Sequence, residues 1–309
     1  MEDGRPPAHE MTMAQGGTLM SGSDPNKQEA HVLPRSMVVT GANGQVGRRL
    51  LLELVKRGIM PTALVRRPET FAGCTTIANW LATDTAQNAI RWADAVVHLA
   101  GSLNPPDHDY MKANVLPADR LIQALEARHA RQLIFLSYLG ASETARNPYL
   151  QTKARAEQLL RDTRIPFTVF RCAHIIGPPE APGPTASAMM AGPKGRVTVL
   201  GSGRQRVAPV FIGDVVAAVL AALESGEIGV FDLQGPEEMA MDDLVRLLNG
   251  SRDVPIRHVP AFLARLLQHV GPKLPGGLID IMLSDSRSDQ PTAAETYNLS
   301  LTPLRRIWQ

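Results

Sequence analysis

A short apolar segment followed by three evenly spaced glycines lies near the start of the chain. Residues 37–39 have the apolar character of a buried strand. The glycines that follow it are Gly41, Gly44 and Gly47. An amphipathic run comes next and predicts a helix that ends near Gly58. A strand, a tight turn and a helix N-terminus in this order form an anion site, because backbone N–H groups and the positive end of the helix dipole point at a bound phosphate. The sequence therefore predicts a dinucleotide-binding turn, although the glycines alone also fit an ordinary strand-to-helix turn.

The three glycines are expected to differ in their roles. Gly41 and Gly44 let the turn close and let a pyrophosphate approach the bare backbone, so a β-branched residue at either position should abolish binding. Gly47 mainly sets the packing of the helix against the strand, so alanine there should be milder.

The composition is that of an ordinary globular protein. The 309-residue chain is 44% hydrophobic and 20% charged, with a net charge of +2. These values give no bias toward nucleic acid or a membrane surface, and no apolar run is long enough to span a bilayer. Cys74 and Cys172 have neither metal nor redox spacing, which predicts no metal site and two free thiols in a reducing compartment. Residues 1–34 lack periodicity and any signal-peptide architecture, so we expect a disordered tail and a cytoplasmic protein.

Apolar segments alternate with helical patterns over residues 35–235. Further strands are predicted at residues 62–65, 75–81, 94–101, 132–137 and 167–172. Helices are predicted at residues 85–92, 109–127 (with a bend or restart at Pro117) and 149–163. Strands separated by helices predict an α/β fold with a doubly wound parallel sheet, the Rossmann type.

The alternation breaks at residue 176. Residues 177–184 are rich in Pro and Gly and predict a loop over a site, within an insertion on the substrate side at residues 176–206. Residues 207–223 restore a strand and a helix. Amphipathic helices at residues 239–248 and 259–270 predict a small C-terminal α/β cap over residues 236–309.

The second predicted strand ends in two arginines. Arg66 and Arg67 would lie beside the adenosine ribose of a dinucleotide, where a carboxylate suits a 2′-hydroxyl and an arginine suits a 2′-phosphate. The pair therefore predicts a preference for NADP(H), with NAD(H) as the alternative. A solvated charged turn is the other interpretation.

Tyr149 and Lys153 stand four residues apart at the start of a predicted helix. This spacing places a phenol and an ammonium on one helix face. Because a nearby cation favours the phenolate, we expect a lowered Tyr149 pKa, which suits a general acid/base that protonates a carbonyl oxygen during hydride transfer. Lys153 can also hold the ribose hydroxyls of a nicotinamide cofactor. The alternative is a surface pair whose side chains cover each other.

The order of these motifs resembles the short-chain dehydrogenase/reductase superfamily over about residues 36–235. The motifs that carry the resemblance are Gly41/Gly44/Gly47, residues 98–101, Asn114 with Val115, Ser137, Tyr149/Lys153 and residues 210–214. Within the superfamily the chain is similar to the extended and atypical branches, which include epimerases, dehydratases and 3β-hydroxysteroid-type enzymes. It is most similar to an atypical group that also contains the nucleotide-binding accessory subunit of respiratory complex I.

The resemblance implies roles for particular residues. The implied cofactor contacts are Gly41, Asn43, Gly44, Gln45, Val46, Gly47, Arg66, Arg67, Asn79, Ala100, Gly101, Asn114 and Lys153. The implied catalytic residues are Tyr149 and Lys153, with Ser137 or Tyr138. The chain departs from the family pattern at three positions. Asn79 replaces the usual acid beside adenine, Pro117 replaces a small residue, and Tyr138 replaces the catalytic serine. Ser137 should face the opposite side of a regular strand, so Tyr138 or Ser142 is expected to supply the second donor.

The sequence thus favours an NADP(H)-dependent oxidoreductase that acts on a carbonyl/alcohol of a small organic substrate. One alternative is a non-catalytic NADPH-binding structural or sensor protein, which the displaced serine favours. The other is a nucleotide-sugar epimerase/dehydratase, for which only Lys194, Arg196, Arg204 and Arg206 offer diphosphate-binding charges. Substrate identity and oligomeric state are left open.

Overall fold

The computed structural model describes residues 33–125, 130–192, 195–250, 253–267 and 276–309. Val32–Gln309 form one compact unit. The tail predicted over residues 1–34 lies, except for its last two residues, outside the described part of the chain.

Strands and helices alternate through the described residues. The strands are β1 Met37–Thr40, β2 Thr62–Leu64, β3 Thr75–Ile77, β4 Ala95–His98, β5 Gln132–Tyr138, β6 Phe167–Cys172, β7 Ile175–Ile176, β8 Val197–Leu200, β9 Arg206–Val207, β10 Val210–Phe211, β11 Gly229–Leu233, β12 Met239–Ala240 and β13 Ile256–Val259. The α-helices are α1 Gln45–Lys56, α2 Asp84–Arg91, α3 Leu116–Ala124, α4 Pro148–Arg161, α5 Gly183–Met189, α6 Ile212–Ser225, α7 Met241–Leu248, α8 Ala261–Leu267, α9 Gly276–Leu283, α10 Ala293–Thr296 and α11 Leu304–Ile307. A 3₁₀ turn at Trp80–Ala82 and a π-helical turn at Met111–Val115 complete them.

A seven-stranded parallel sheet in the described residues has the strand order β11-β6-β5-β4-β1-β2-β3. This order confirms the predicted doubly wound α/β fold. The strand order reverses between β1 and β4: from β1 the sheet grows toward β3 on one side and, from β4, toward β11 on the other. In such sheets ligands bind beyond the carboxyl ends of the strands at the point of reversal. Apolar clusters cover both faces, with Val39 and Leu50 in one and Val38 and Val96 in the other. The sheet is therefore buried on both sides, as continuous apolar strands require.

Several predicted elements differ from the structure. The helix predicted over residues 239–248 begins only at Met241, because Met239–Ala240 form β12, which pairs with β9. The third strand covers only Thr75–Ile77, because Asn79 adopts a left-handed conformation (φ 50°) that starts the 3₁₀ turn. The segment predicted as a loop over residues 177–184 contains the start of α5. The helix predicted over residues 259–270 is wrong at its start: Val259 ends β13, which pairs with β8 over its whole length, and α8 begins only at Ala261. Residues 268–270 lie outside the described residues.

The interruption predicted at Pro117 is present. The π-helical turn Met111–Val115 comes before α3, and Pro117 lies in the first turn of α3. Proline is tolerated there because the first N–H groups of a helix have no partner within the helix. The wider π turn places Asn114 in the protein interior.

The C-terminal residues lie against the carboxyl edge of the sheet. The Asn147 side chain donates to the Gly277 carbonyl (2.8 Å), and the Trp308 indole donates to the Gly177 carbonyl (3.1 Å). The boundary predicted at residue 236 stays a prediction. A helix both long and apolar enough to cross a bilayer is absent from the described ranges.

Candidate dinucleotide and active site

The turn after β1 lies against the end of the neighbouring strand β4. Gly41 has φ +63°, and a Cβ there would lie 2.6 Å from the Leu99 carbonyl carbon and 2.7 Å from the Ala100 nitrogen. Only glycine suits both the left-handed backbone and this close approach. The first glycine of the turn is therefore required by the fold itself.

Gly44 has a different environment. Its backbone is extended (φ −72°), its N–H donates to the Gly41 carbonyl (2.9 Å), and α1 starts immediately after it. A Cβ at Gly44 would meet only the Gly41 carbonyl oxygen, at 3.2 Å, and otherwise project into the open cleft. A side chain at Gly44 would need the Gly41 carbonyl to move by only a few tenths of an ångström. The glycine also leaves the helix N-terminus bare, as a phosphate site requires.

The expectation that alanine at Gly47 would be mild is wrong on this geometry. A Cβ at Gly47 would lie 2.5 Å from the Gly41 carbonyl oxygen and 2.7 Å from that of Ala42, both backbone atoms that cannot swing away. We expect Gly47→Ala to lower the free energy of unfolding by about 1–3 kcal/mol, the usual range for overpacking. Thermal unfolding checks this, with Gly192→Ala as control, since a Cβ there would have no described atom within 4 Å. Equal melting temperatures for the two variants would contradict it.

A cleft of about 680 Å³ opens at the carboxyl ends of β1, β2 and β4. This volume suits a cofactor-sized ligand. The predicted residues that line it are Gly41, Asn43, Gly44, Arg66, Ala100 and Gly101. Arg66 is exposed, and the described part of the chain offers it no ion pair. Lining residues that the sequence interpretation missed include Trp80, Leu81, Ser102, Lys112 and Leu116.

Seven predicted cofactor residues are not among those lining this cleft, and two of these, Asn114 and Lys153, lie beside Gly101 instead. Val46 and Gly47 are buried in the packing of α1. The Gln45 side chain packs against Gly183 of α5. Asn79 and Arg67 are exposed, and the cleft wall beside Asn79 is formed instead by Trp80 and Leu81.

Buried polar groups support the backbone at the end of β4. The Thr40 hydroxyl lies 2.9 Å from His98 Nδ1 and accepts from the Ala100 N–H (3.3 Å). His98 is stacked on Phe135 (centroids 5.5 Å apart), and burial lowers its pKa to about 3. The neutral, packed His98 therefore positions the Thr40 hydroxyl, which in turn holds the Ala100 backbone in place.

Asn114 and Lys153 meet next to Gly101. The Asn114 amide accepts from the Ser102 N–H (2.9 Å) and donates to the Ser102 carbonyl (3.1 Å). A Cβ on Gly101 would lie 2.8 Å from Asn114 Oδ1 and 3.8 Å from Lys153 Nζ. The bare backbone at Gly101 thus gives a ligand in the cleft access to both side chains, which lie beside the lining rather than within it.

Lys153 is buried and held by strand β5. Its Nζ donates to the Leu136 carbonyl (2.5 Å) and lies 4.3 Å from the centre of the Phe135 ring. Burial lowers its pKa to about 8, against an opposing effect of Glu157. The ammonium is therefore mostly protonated at neutral pH and loses its charge as the pH rises through about 8.

Tyr149 lies in the first turn of α4. The Asn147 side chain caps this helix by accepting from the N–H groups of Tyr149 (2.9 Å) and Leu150 (3.2 Å). The expected lowering of the Tyr149 pKa is wrong for the protein alone: burial raises it, and the nearby Tyr138 phenol raises it further. Lys153 does not offset this rise, because its ammonium is held at the Leu136 carbonyl. Tyr149 is thus a neutral acid at physiological pH.

Tyr138 and Ser137 face opposite sides of β5. The Tyr138 ring packs edge-on against Tyr149 (centroids 5.7 Å apart), and its hydroxyl lies 2.7 Å from His174 Nδ1. The Ser137 hydroxyl instead donates to the buried Glu157 carboxylate (2.5 Å). The structure therefore brings Tyr138 to Tyr149 and leaves Ser137 away from it. Ser142 pairs with the Thr144 hydroxyl (3.0 Å).

Two residues in contact with the Tyr138 hydroxyl were missed by the sequence interpretation. His174 follows β6, so the rule that sites lie beyond the carboxyl ends of parallel strands could have indicated it. Ser286 lies 3.4 Å from the Tyr138 hydroxyl but 148 residues away in sequence, and no local pattern points to it.

The fold and the glycine turn define a dinucleotide-binding protein of the extended short-chain dehydrogenase/reductase type. A family model for the NAD dependent epimerase/dehydratase family matches residues 37–232. The chain belongs to this family, which confirms the predicted class of NAD(P)-dependent, oxidoreductase-like enzyme.

Individual relatives are distant. The chain is 26% identical over 226 residues to NADH dehydrogenase (ubiquinone) 1 alpha subcomplex subunit 9, mitochondrial, from Arabidopsis thaliana, covering 68% of this chain and 56% of that protein. It thus spans little more than half of that relative's length. It is also 26% identical over 269 residues to the 4-hydroxy-2-methyl-3-oxo-4-farnesyl-3,4-dihydroquinoline-1-oxide ketoreductase of Stigmatella aurantiaca, covering 76% and 79% of the two chains.

A solved structure supports the fold. UDP-glucuronic acid 4-epimerase from Bacillus cereus, in complex with UDP-glucuronic acid and NAD, superposes with a TM-score of 0.67 at 19% identity. The match covers 88% of this chain and 96% of that one.

Proposed function

We propose that the protein is an NADP(H)-dependent reductase of a carbonyl group on a small organic substrate. The observation that carries this proposal is the arrangement at α4. Tyr149 is a neutral phenol there, and Lys153 one turn later is a buried ammonium next to the bare backbone of Gly101. A neutral phenolic acid and a buried cation one turn apart on the same helix are the two groups that carbonyl reduction needs.

The residues present fit a dinucleotide. The Gly44 position is open toward the cleft at the N-terminus of α1, where a pyrophosphate would accept backbone hydrogen bonds. Gly101, Asn114 and Lys153 would hold the nicotinamide ribose. The solved Bacillus cereus epimerase structure is a complex with NAD, whereas Arg66 at the adenosine end supports NADP(H) for this chain.

In the proposed reaction NADPH, held by the glycine turn and by Gly101, Asn114 and Lys153, would supply the hydride for the carbonyl carbon. Tyr149 donates its phenolic proton to the carbonyl oxygen, so that an alcohol forms and a phenolate remains on Tyr149. Lys153, held at the Leu136 carbonyl next to Gly101, would position the nicotinamide ribose for this transfer. Tyr138 supplies a second hydrogen bond to the oxygen, the part that a serine plays in the family pattern. The raised pKa keeps Tyr149 protonated at neutral pH, as reduction requires of its proton donor.

A screen of aliphatic and aromatic ketones and aldehydes, read out by loss of NADPH absorbance, tests the proposal. Turnover of a ketone that requires both NADPH and Tyr149 would support it. Tight NADPH binding without turnover of any compound would instead favour the non-catalytic alternative. The hydrogen bond of the Ser137 hydroxyl to Glu157 favours the non-catalytic alternative, and so does the similarity to a respiratory subunit.

The nucleotide-sugar alternative has less support. That alternative relies on four cationic side chains to bind a diphosphate. Arg206 is paired with Glu238 (2.6 Å), and Arg196 and Arg204 are exposed. Lys194 lies outside the described residues.

Cofactor choice gives a sharper prediction. We expect Arg66→Asp to weaken NADPH binding by roughly 10- to 150-fold, because hydrogen bonds to a charged phosphate contribute about 1.5–3 kcal/mol and the new carboxylate repels it. NADH affinity should change little. Titration calorimetry with both nucleotides measures this, and Arg67→Asp is the matched control, since Arg67 does not line the cleft. Equal affinities of the unmodified protein for NADPH and NADH would contradict it.

A further inference from the structure

The Tyr138 hydroxyl has two hydrogen-bond partners on its far side from β5. His174 Nδ1 lies 2.7 Å away and Ser286 Oγ lies 3.4 Å away. A phenol carries one proton, so it can donate to one partner only. Whether that proton can be offered to a substrate depends on what His174 does.

The His174 side chain is buried, and the His174 backbone is held by a hydrogen bond. Its side chain is only 2% exposed, and its backbone carbonyl accepts from the Val210 N–H (2.9 Å), which anchors the segment between β6 and β7. Burial lowers the imidazole pKa to about 4, so the ring is neutral and carries a single N–H. Its other nitrogen, Nε2, is buried, and the described residues provide no hydrogen-bond partner for it.

The unpartnered Nε2 distinguishes the two tautomers. If the proton were on Nε2, a buried N–H donor would be left without an acceptor, which is rarer in proteins than a buried acceptor left without a donor. If the proton is on Nδ1, Nε2 keeps only a lone pair, and Nδ1–H donates to the Tyr138 oxygen. The Tyr138 proton then points away from His174, toward Ser286 in the free protein or toward a substrate oxygen.

We propose that His174, as the Nδ1–H tautomer, is a positioning residue that directs the Tyr138 hydroxyl proton to the substrate oxygen. The inference rests on the proposed carbonyl reduction and deepens it. A serine hydroxyl is small and can rotate freely, whereas Tyr138, which occupies the serine position, needs a donor behind it. His174 is that donor.

Nitrogen NMR of the chain labelled with ¹⁵N-histidine tests the tautomer without substrate or cofactor. The chain has eight histidines, and the His174 signals are those lost in His174→Asn. We expect a protonated Nδ1 and a bare Nε2, which have clearly different chemical shifts. A protonated Nε2 would overturn the proposal.

Turnover of a ketone found by the screen tests the role. His174→Leu should lower kcat roughly 10- to 100-fold, less than the loss of a whole oxyanion donor, with NADPH affinity unchanged. His174→Asn should restore most of kcat, because its amide nitrogen can take the place of Nδ1. Thermal unfolding shows that both variants are folded. His258→Leu, a histidine paired with Asp242 elsewhere, should turn over the ketone like the parent.

A double variant tests whether His174 acts through Tyr138. In the Tyr138→Phe background, His174→Leu should have no further effect, since residues that act as a unit are not additive. A full additional loss in that background, or parental turnover by His174→Leu, would overturn the inference while leaving the reductase proposal intact. A parent that turns over no carbonyl compound would overturn the reductase proposal and the role of His174 with it, without altering the NMR result.

Discussion

Tyr149→Phe should lower kcat for carbonyl reduction by about 10²- to 10⁴-fold, the usual contribution of a general acid. The phenylalanine keeps the ring that packs against Tyr138, so only the proton donor is lost. NADPH affinity should stay within about two-fold of the parent, well under the tenfold that 1.4 kcal/mol represents, because Tyr149 does not line the dinucleotide cleft. Steady-state kinetics and calorimetric titration of NADPH measure the two quantities.

Tyr297→Phe is the matched control for this variant. Tyr297 is also largely buried, burial also raises its pKa, and it packs against Phe170 and Phe231 rather than near α4. Loss of the Tyr297 hydroxyl should leave kcat for carbonyl reduction unchanged. If Tyr149→Phe reduces the ketone as fast as the parent, Tyr149 is not the acid.

Gly44→Val should remove dinucleotide binding from a protein that still folds. Valine fits the extended backbone at Gly44, and its Cβ would meet only the Gly41 carbonyl oxygen. Its methyl groups would nevertheless fill the space in which a pyrophosphate reaches the N-terminus of α1. Two lost bonds to a charged group, at about 1.5–3 kcal/mol each, predict a rise in the NADPH dissociation constant of at least roughly 100-fold.

Calorimetry and thermal unfolding together check the Gly44 prediction. Gly192→Val is the control, because it adds the same side chain where a Cβ would have no described atom within 4 Å. Gly41→Val, in contrast, should lose both folding and binding, given its positive φ and the nearby Leu99 backbone. Unchanged NADPH affinity in folded Gly44→Val would show that the turn does not hold the phosphates.

The fold could be predicted because its signals are local. Apolar strands, helical periodicity and the glycine turn each lie within a few residues of sequence, and together they dictate a doubly wound sheet. Val259 shows the limit: an amphipathic pattern suggested a helix, but pairing of β13 with the distant β8 decided for a strand. Tertiary pairing of this kind overrides local propensity.

The site could be predicted only in part, for a similar reason. The Tyr149–Lys153 spacing is visible in the sequence, but the direction of the Tyr149 pKa shift is not. Burial sets that direction, and the Lys153 ammonium is turned to the Leu136 carbonyl of another element. The Tyr138–Ser286 contact spans 148 positions and exists only in the folded chain.

The late position of Ser286 bears on how the site is assembled during synthesis. All seven strands of the main sheet end by Leu233, so the ribosome has made the complete cofactor half well before it reaches α9 and Ser286. Since domains fold as units and Val32–Gln309 form one compact unit, the hydroxyl group facing Tyr138 is among the last parts of that unit to become available. A chain cut after Leu283 would keep every strand of that sheet, but it would lack the buried Tyr297, Leu304 and Trp308 side chains of the apolar core as well as the Ser286 hydroxyl.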